Sequence, residues 1–169
     1  SKTPPEFEVK AAFLFRFASF VEWPQRIASG DRFEIGIVGD DPFGSAFKPF
    51  MDQPIQGRQL RITHDPLNAE SPKPRILFVS SSEADHIADV LRRVADKPVL
   101  TVSDIDGFAA RGGILNFVLR DKKIRFVINV QAADRAGLKL SSRLLKLAEI
   151  VTTVSADEDR GDRSTGGEE

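Results

Sequence analysis

FEIGIVGDDPFG, residues 33–44, decides the fold. Phe33 to Gly39 is an apolar run of strand length, and GDDPFG closes it with residues that favour a turn. An apolar run of this kind is the pattern of a strand covered on both faces, which is found where helices cross over a parallel sheet.

The segments that follow extend the pattern. A brief helix is expected through Ser45 to Met51, a second strand at Leu60 to His64, and a loop in DPLNAESPKP. RILFV, residues 75–79, reads as a third strand. Ser80 with Glu83 forms a capping-box pattern ahead of Ala84, Ile87, Ala88, Leu91 and Val94 or Ala95 at helical spacing. Val99 to Val102 is a fourth strand, and SDIDGFAARGG a loop with at most one helical turn. Ile114 to Leu119 and Ile124 to Val130 alternate in period two around RDKK, which predicts a β-hairpin. Leu144, Leu147, Ala148 and Val151 then follow a helical stripe that Ser141 or Ser142 would open.

Towards the start lies AAFLFRFASFV, residues 11–21, of which nine are apolar. A membrane span needs about 20 apolar residues, so direct membrane insertion is not expected. As a helix from about Pro5 to Glu22, its polar positions Lys10, Arg16, Ser19 and Glu22 leave an apolar arc too wide for one covering surface. Either the core of the same chain or a second chain covers it, and Trp23-Pro24 ends it.

Together these segments predict a single α/β domain. Its sheet is mixed and mostly parallel, of about six strands, with helices on both faces and a C-terminal antiparallel hairpin. Residues 1–151 are assigned to that domain and 152–169 to an acidic, disordered tail. Residues 155–169 carry six acids and two bases, so the formal net charge of −1 hides +3 on residues 1–154. Neither value suggests a nucleic-acid surface. The sequence holds no cysteine, which excludes disulfides and thiolate chemistry. The opening SKTPPEF lacks an initiator Met and a signal sequence, and is expected to be a mature or trimmed start.

No motif for chemistry is complete. Gly39 and Gly44 have phosphate-loop spacing, but Ser45-Ala46 stands where Lys followed by Ser or Thr should be. Asp40-Asp41 would suit a phospho-acceptor site, yet the third strand ends in serines. His64-Asp65 could pair a base with its orienting acid, but no serine elbow accompanies it, and His64 and His86 are the only imidazoles for a metal. We therefore expect no catalytic residues, no metal and no cofactor. Open α/β sheets bind ligands at the carboxyl ends of their strands, which makes Asp40, Asp41, Ser80, Ser81, Ser82 and Asp104 a candidate ligand-binding rim, with Arg58 and Arg111 joining it. The same residues also serve as helix caps and turn residues without any ligand.

In order, VKAAFLFRFASFVEWP, VGDDPFG, GRQLRI, ILFVSSSE and the long run from Pro98 through Ala148 resemble the YfiR-like family of bacterial periplasmic proteins, over about residues 7 to 148. The resemblance implies a non-enzymatic periplasmic regulator that binds and represses the sensor portion of an inner-membrane diguanylate cyclase. That activity would control cyclic-di-GMP and biofilm formation, and the protein would be prone to dimerise. A small-molecule-binding module acting on a histidine kinase is the alternative. Redox switching through disulfides is excluded here by the lack of cysteine. Family members also commonly carry an acid in the strand that here reads Phe126-Val127-Ile128-Asn129. For a partner or dimer contact the candidates are Phe13, Phe17, Phe20 and Trp23 on the first helix, and Phe126, Val127, Asn129 and Leu138 from the hairpin onward.

Overall fold

A computed structural model describes residues 5–24, 32–71 and 73–153. Helix α1 (Pro5–Phe20) runs into strand β1 (Val21–Glu22). Strands β2 (Arg32–Val38), β3 (Gln59–His64) and β4 (Ile76–Val79) precede helix α2 (Ile87–Arg93), and β5 (Leu100–Ser103) follows it. The hairpin of β6 (Leu115–Arg120) and β7 (Lys123–Asn129) leads to helix α3 (Val130–Arg135), β8 (Lys139–Leu140), helix α4 (Ser142–Lys146) and β9 (Glu149–Val151).

The main sheet has seven strands in the order β3-β2-β4-β5-β6-β7-β9, one more than the about six expected. Pairing is parallel from β3 through β6, antiparallel between β6 and β7, and parallel again between β7 and β9. A separate ribbon pairs β1 with β8. Helices lie on both faces. In β4 the alternation is visible residue by residue: Ile76 and Phe78 join the core beneath α1, while Leu77 and Val79 join Ile87, Val90 and Val94 beneath α2. At β2 that second face is covered by a loop instead of a helix. Gly36 makes this possible, since a Cβ there would strike the Pro66 ring.

The hairpin register follows the sequence alternation, with Leu115 opposite Ile128, Phe117 opposite Phe126 and Leu119 opposite Ile124. Asp121 and Lys122 both take positive φ, 52° and 65°, the two-residue turn that matches the twist of the strands.

Four expected elements differ. Helix α1 stops at Phe20 because Val21 and Glu22 pair with Leu140 and Lys139. The segment from Ser45 to Met51 forms i to i+3 turns with a short 3-10 piece at Lys48–Phe50, since Pro49 has no N–H for an α-helical bond. The capping box at Ser80 does not form. Ser80 is buried and its side chain caps nothing, Glu83 is non-helical, and α2 proper begins only at Ile87. The last helix ends at Lys146, because Glu149–Val151 pair with the open backbone edge of β7 and so cover what the hairpin would have exposed. The residues expected to form an acidic tail lie outside the described residues from 154 onward.

Ser141 does open α4, its hydroxyl accepting bonds from the N–H groups of Arg143 and Leu144. Ser141→Ala is expected to cost about 1 kcal/mol, read as a shifted urea midpoint with unchanged slope.

Candidate functional site

Parallel strands β2, β4 and β5 end side by side, so Gly39 to Asp41, Ser80 to Ser82 and Asp104 meet at one rim. Gly39 turns the chain with φ +88°, and a Cβ there would run into the Ser82 hydroxyl. That hydroxyl accepts the Asp40 N–H at 2.9 Å. Asp41 divides its carboxylate: Oδ1 accepts from the Phe43 N–H at 2.7 Å, and Oδ2 lies 2.8 Å from His64 Nε2. His64 thus faces Asp41, not Asp65, whose own carboxylate takes a bond from Asn68. Ser80 holds its strand end through its N–H to the Val38 carbonyl, and Ser81 is exposed.

Asp104 brings in a residue the sequence reading passed over. Lys10, only 3% exposed, donates to Asp104 Oδ2 at 2.8 Å and also to Glu6. Its ammonium lies 4.6 Å from the centre of the Phe7 ring. The signal was present in Glu6 and Lys10 at i, i+4 on an otherwise apolar helix. Lys10 ties α1 to the rim. Lys10→Met is expected to cost about 2 kcal/mol by leaving Asp104 half-covered and unpaired, and adding Asp104→Asn should recover part of the loss in thermal melts.

Two rim candidates lie elsewhere. Arg58 directly precedes β3, a parallel strand, so it sits at the amino ends of the strands and not the carboxyl ends. There it faces Arg75. Burial, and then repulsion by Arg58, lower the Arg75 pKa from its usual value, although its guanidinium lies 5.7 Å from the Phe33 ring and 5.9 Å from that of Trp23. Arg111 also lies away from the rim, beside the start of β5 and the end of α2. Among the described residues no cluster of three or more His, Asp or Glu could hold a metal ion.

Most of the expected contact residues are buried within the chain. Phe17, Phe126, Val127, Asn129 and Leu138 are all buried, Phe17 and Phe126 because α1 packs directly on the hairpin. Phe17 stacks on Phe117 and meets Phe126 edge-on. Asn129 caps α3 by accepting the Ala132 N–H, and its amide donates to the Ala109 carbonyl and the Thr153 hydroxyl. Phe13, Phe20 and Trp23 are half-buried, and Trp23 donates its indole N–H to the Arg75 carbonyl. The apolar surface left in water is different: Val9 at 44%, Leu119 at 59%, Leu147 at 65% and Ile150 at 52% exposed. Val9, Ala12 and Phe13 line a depression of about 330 Å³ on the outer side of α1, with Glu8 and Arg16 at its margin. Strand alternation places Leu119 and Ile150 on the same sheet face as α1.

A sequence profile of YfiR/HmsC-like proteins matches residues 7–149. The chain belongs to the YfiR/HmsC-like family. A comparison with curated proteins gave no match. The YfiR/HmsC-like family is one of periplasmic regulatory proteins connected with cyclic-di-GMP signalling. Within this member the profile spans the sheet from α1 to the first residue of β9. No helix among its described residues is long and apolar enough to cross a membrane.

Proposed function

We propose that the protein is a non-enzymatic periplasmic regulator that binds the sensor portion of an inner-membrane diguanylate cyclase and holds it inactive. Its release would raise cyclic-di-GMP and favour biofilm formation. The family match over residues 7–149 carries this reading.

The distribution of side chains supports a protein contact. At the rim, Asp41 and Asp104 engage His64 and Lys10 of the same chain. Val9, Leu119 and Ile150 meanwhile leave apolar side chains in water on the α1 face. Contacts of this kind gain from removing apolar area from water, and they serve a dimer or a membrane sensor equally well. The 169 residues hold no cysteine, so release cannot run through a disulfide within them.

The test is cyclase output in membranes from the native host. Added protein is expected to lower cyclic-di-GMP formation, and the pair Val9→Glu and Leu119→Glu to abolish that effect without moving the melting temperature. Crosslinking from the host envelope should recover the cyclase, and light scattering should report a dimer. Unchanged cyclase output, or recovery of a histidine kinase in place of the cyclase, would overturn the reading.

A further inference from the structure

At the end of the sheet opposite the rim, the C-terminal turn of α2, the loop before β6 and helix α3 enclose a cleft of about 390 Å³, within the size range of small-molecule sites. Its walls are aliphatic, formed by Leu91, Val94, Val99, Ile114 and Ala132, and among the described residues no aromatic side chain lines it. Its margin is cationic: Arg92, Lys97, Arg111 and Arg135 stand there against one acid, Asp96. Arg92 already faces Asp89 at 3.6 Å. Among the described residues Lys97, Arg111 and Arg135 form no ion pair. Three cations gathered round one hollow repel one another, and an anion seated between them relieves that repulsion.

Two threonines that line the same cleft have a donor to spare. Thr101, only 4% exposed, accepts the Ile114 N–H on its hydroxyl at 2.9 Å, and Thr153 accepts the Asn129 amide at 2.7 Å. Each hydroxyl thus spends a lone pair, while among the described residues neither O–H has an acceptor. A buried O–H without an acceptor costs free energy, and a guest that accepts from it removes that cost. We infer that the cleft binds a small organic acid, a monocarboxylate with a short branched aliphatic body. The body lies on Leu91, Val99 and Ile114, and the carboxylate takes up donors from the cationic margin and the threonine hydroxyls. A neutral guest would leave the cations unrelieved, and a bare inorganic anion would leave the aliphatic walls wet. None of the lining residues comes from α1, so this site is separate from the contact face at Val9 and Leu119.

The test is a titration of the isotope-labelled full chain with isocaproate, followed by amide signals. Those of Gly112, Ala136 and Thr153 are expected to shift and saturate with a Kd on the order of 1 mM, while those of Asp41 and Ser81 at the opposite rim stay in place. Isocaproamide keeps the body and loses the charge, and acetate keeps the charge and loses the body. Each should bind about ten-fold more weakly than isocaproate, or worse. Arg111 and Arg135 are exposed, so Arg111→Ser with Arg135→Ser should weaken isocaproate about ten-fold and leave the melting temperature unmoved. Equal binding of acetate would reduce the cleft to a patch of charge, and equal binding of the amide to a patch of apolar surface. Either result overturns the inference, as would shifts that never saturate, that spread evenly over the surface, or that survive the double substitution.

Discussion

Phe43→Ala is expected to lower the stability of the protein by about 4 kcal/mol, or roughly 10 °C in melting temperature. Phe43 is fully buried in the loop that follows β2, and three rings surround it: Phe7 edge-on at 5.6 Å, Phe47 at 4.8 Å and Phe78 at 4.8 Å. Truncation removes those contacts and leaves a cavity between α1, the loop and the sheet, which a close-packed interior fills only in part. Because Asp41 bonds the Phe43 N–H, the same change should speed amide exchange in residues 40–47 and in the first turn of α1. Phe43→Leu should lose much less. A loss below about 1 kcal/mol for the alanine variant would contradict the described packing.

Asn116→Ala is expected to cost about 3 kcal/mol. Asn116 is 3% exposed on β6. Its carbonyl oxygen accepts the Ala109 N–H, and its amide reaches the carbonyls of Ser103, Ile105 and Phe117 at 3.0–3.2 Å. Alanine leaves these backbone groups buried without that partner. Asn116→Asp tests the same site with a definite sign. A carboxylate facing three carbonyl oxygens is disfavoured, so its folded pKa is raised above the unfolded value of about 3.9. The folded state then binds the extra proton, and stability falls as pH rises from that unfolded value through the folded one. Urea midpoints for Asn116→Asp should therefore approach those of the unsubstituted chain in acid and fall away towards neutral pH. A pH-independent difference between the two proteins would rule out this placement of the side chain.

The strands were the legible part of the sequence. A run such as FEIGIVG has one plausible use at that length, and the period-two hairpin fixed its own register through Leu115, Phe117 and Leu119. Ser141 was readable as a cap because capping is local. What failed was whatever depended on the far side of the molecule. The stripe through Leu147 and Val151 satisfies helical spacing by coincidence, and only the open edge of β7 turns Glu149–Val151 into a strand. Ser80 and Glu83 had the letters of a capping box, but Ser80 belongs to a strand end bound to Val38.

The site was legible in outline only. The rim formed where Asp40, Asp41, Ser80, Ser81, Ser82 and Asp104 were expected, because parallel strands must end together. Arg58 could have been excluded on the same ground, since a residue just before a parallel strand stands at its amino end. Apolar character marked Phe17, Phe126 and Leu138 as residues needing cover, but it did not say that they cover one another. The leftover surface at Leu119 and Ile150 could not be found without the order of strands.

Helix α1 rests on residues made about a hundred positions later, Phe13 and Phe17 against Phe117 and Phe126, and β1 pairs with β8 only after residue 139 exists. Such distant closure is slow, and nothing local can stand in for it. While the chain emerges from a ribosome or a translocation pore, the face of AAFLFRFASFV that carries Phe13 and Phe17 travels without its hairpin partners until Phe117 and Phe126 arrive. For that interval the most apolar part of the protein is open to a holding chaperone, and it is also the part most prone to clump with its neighbours.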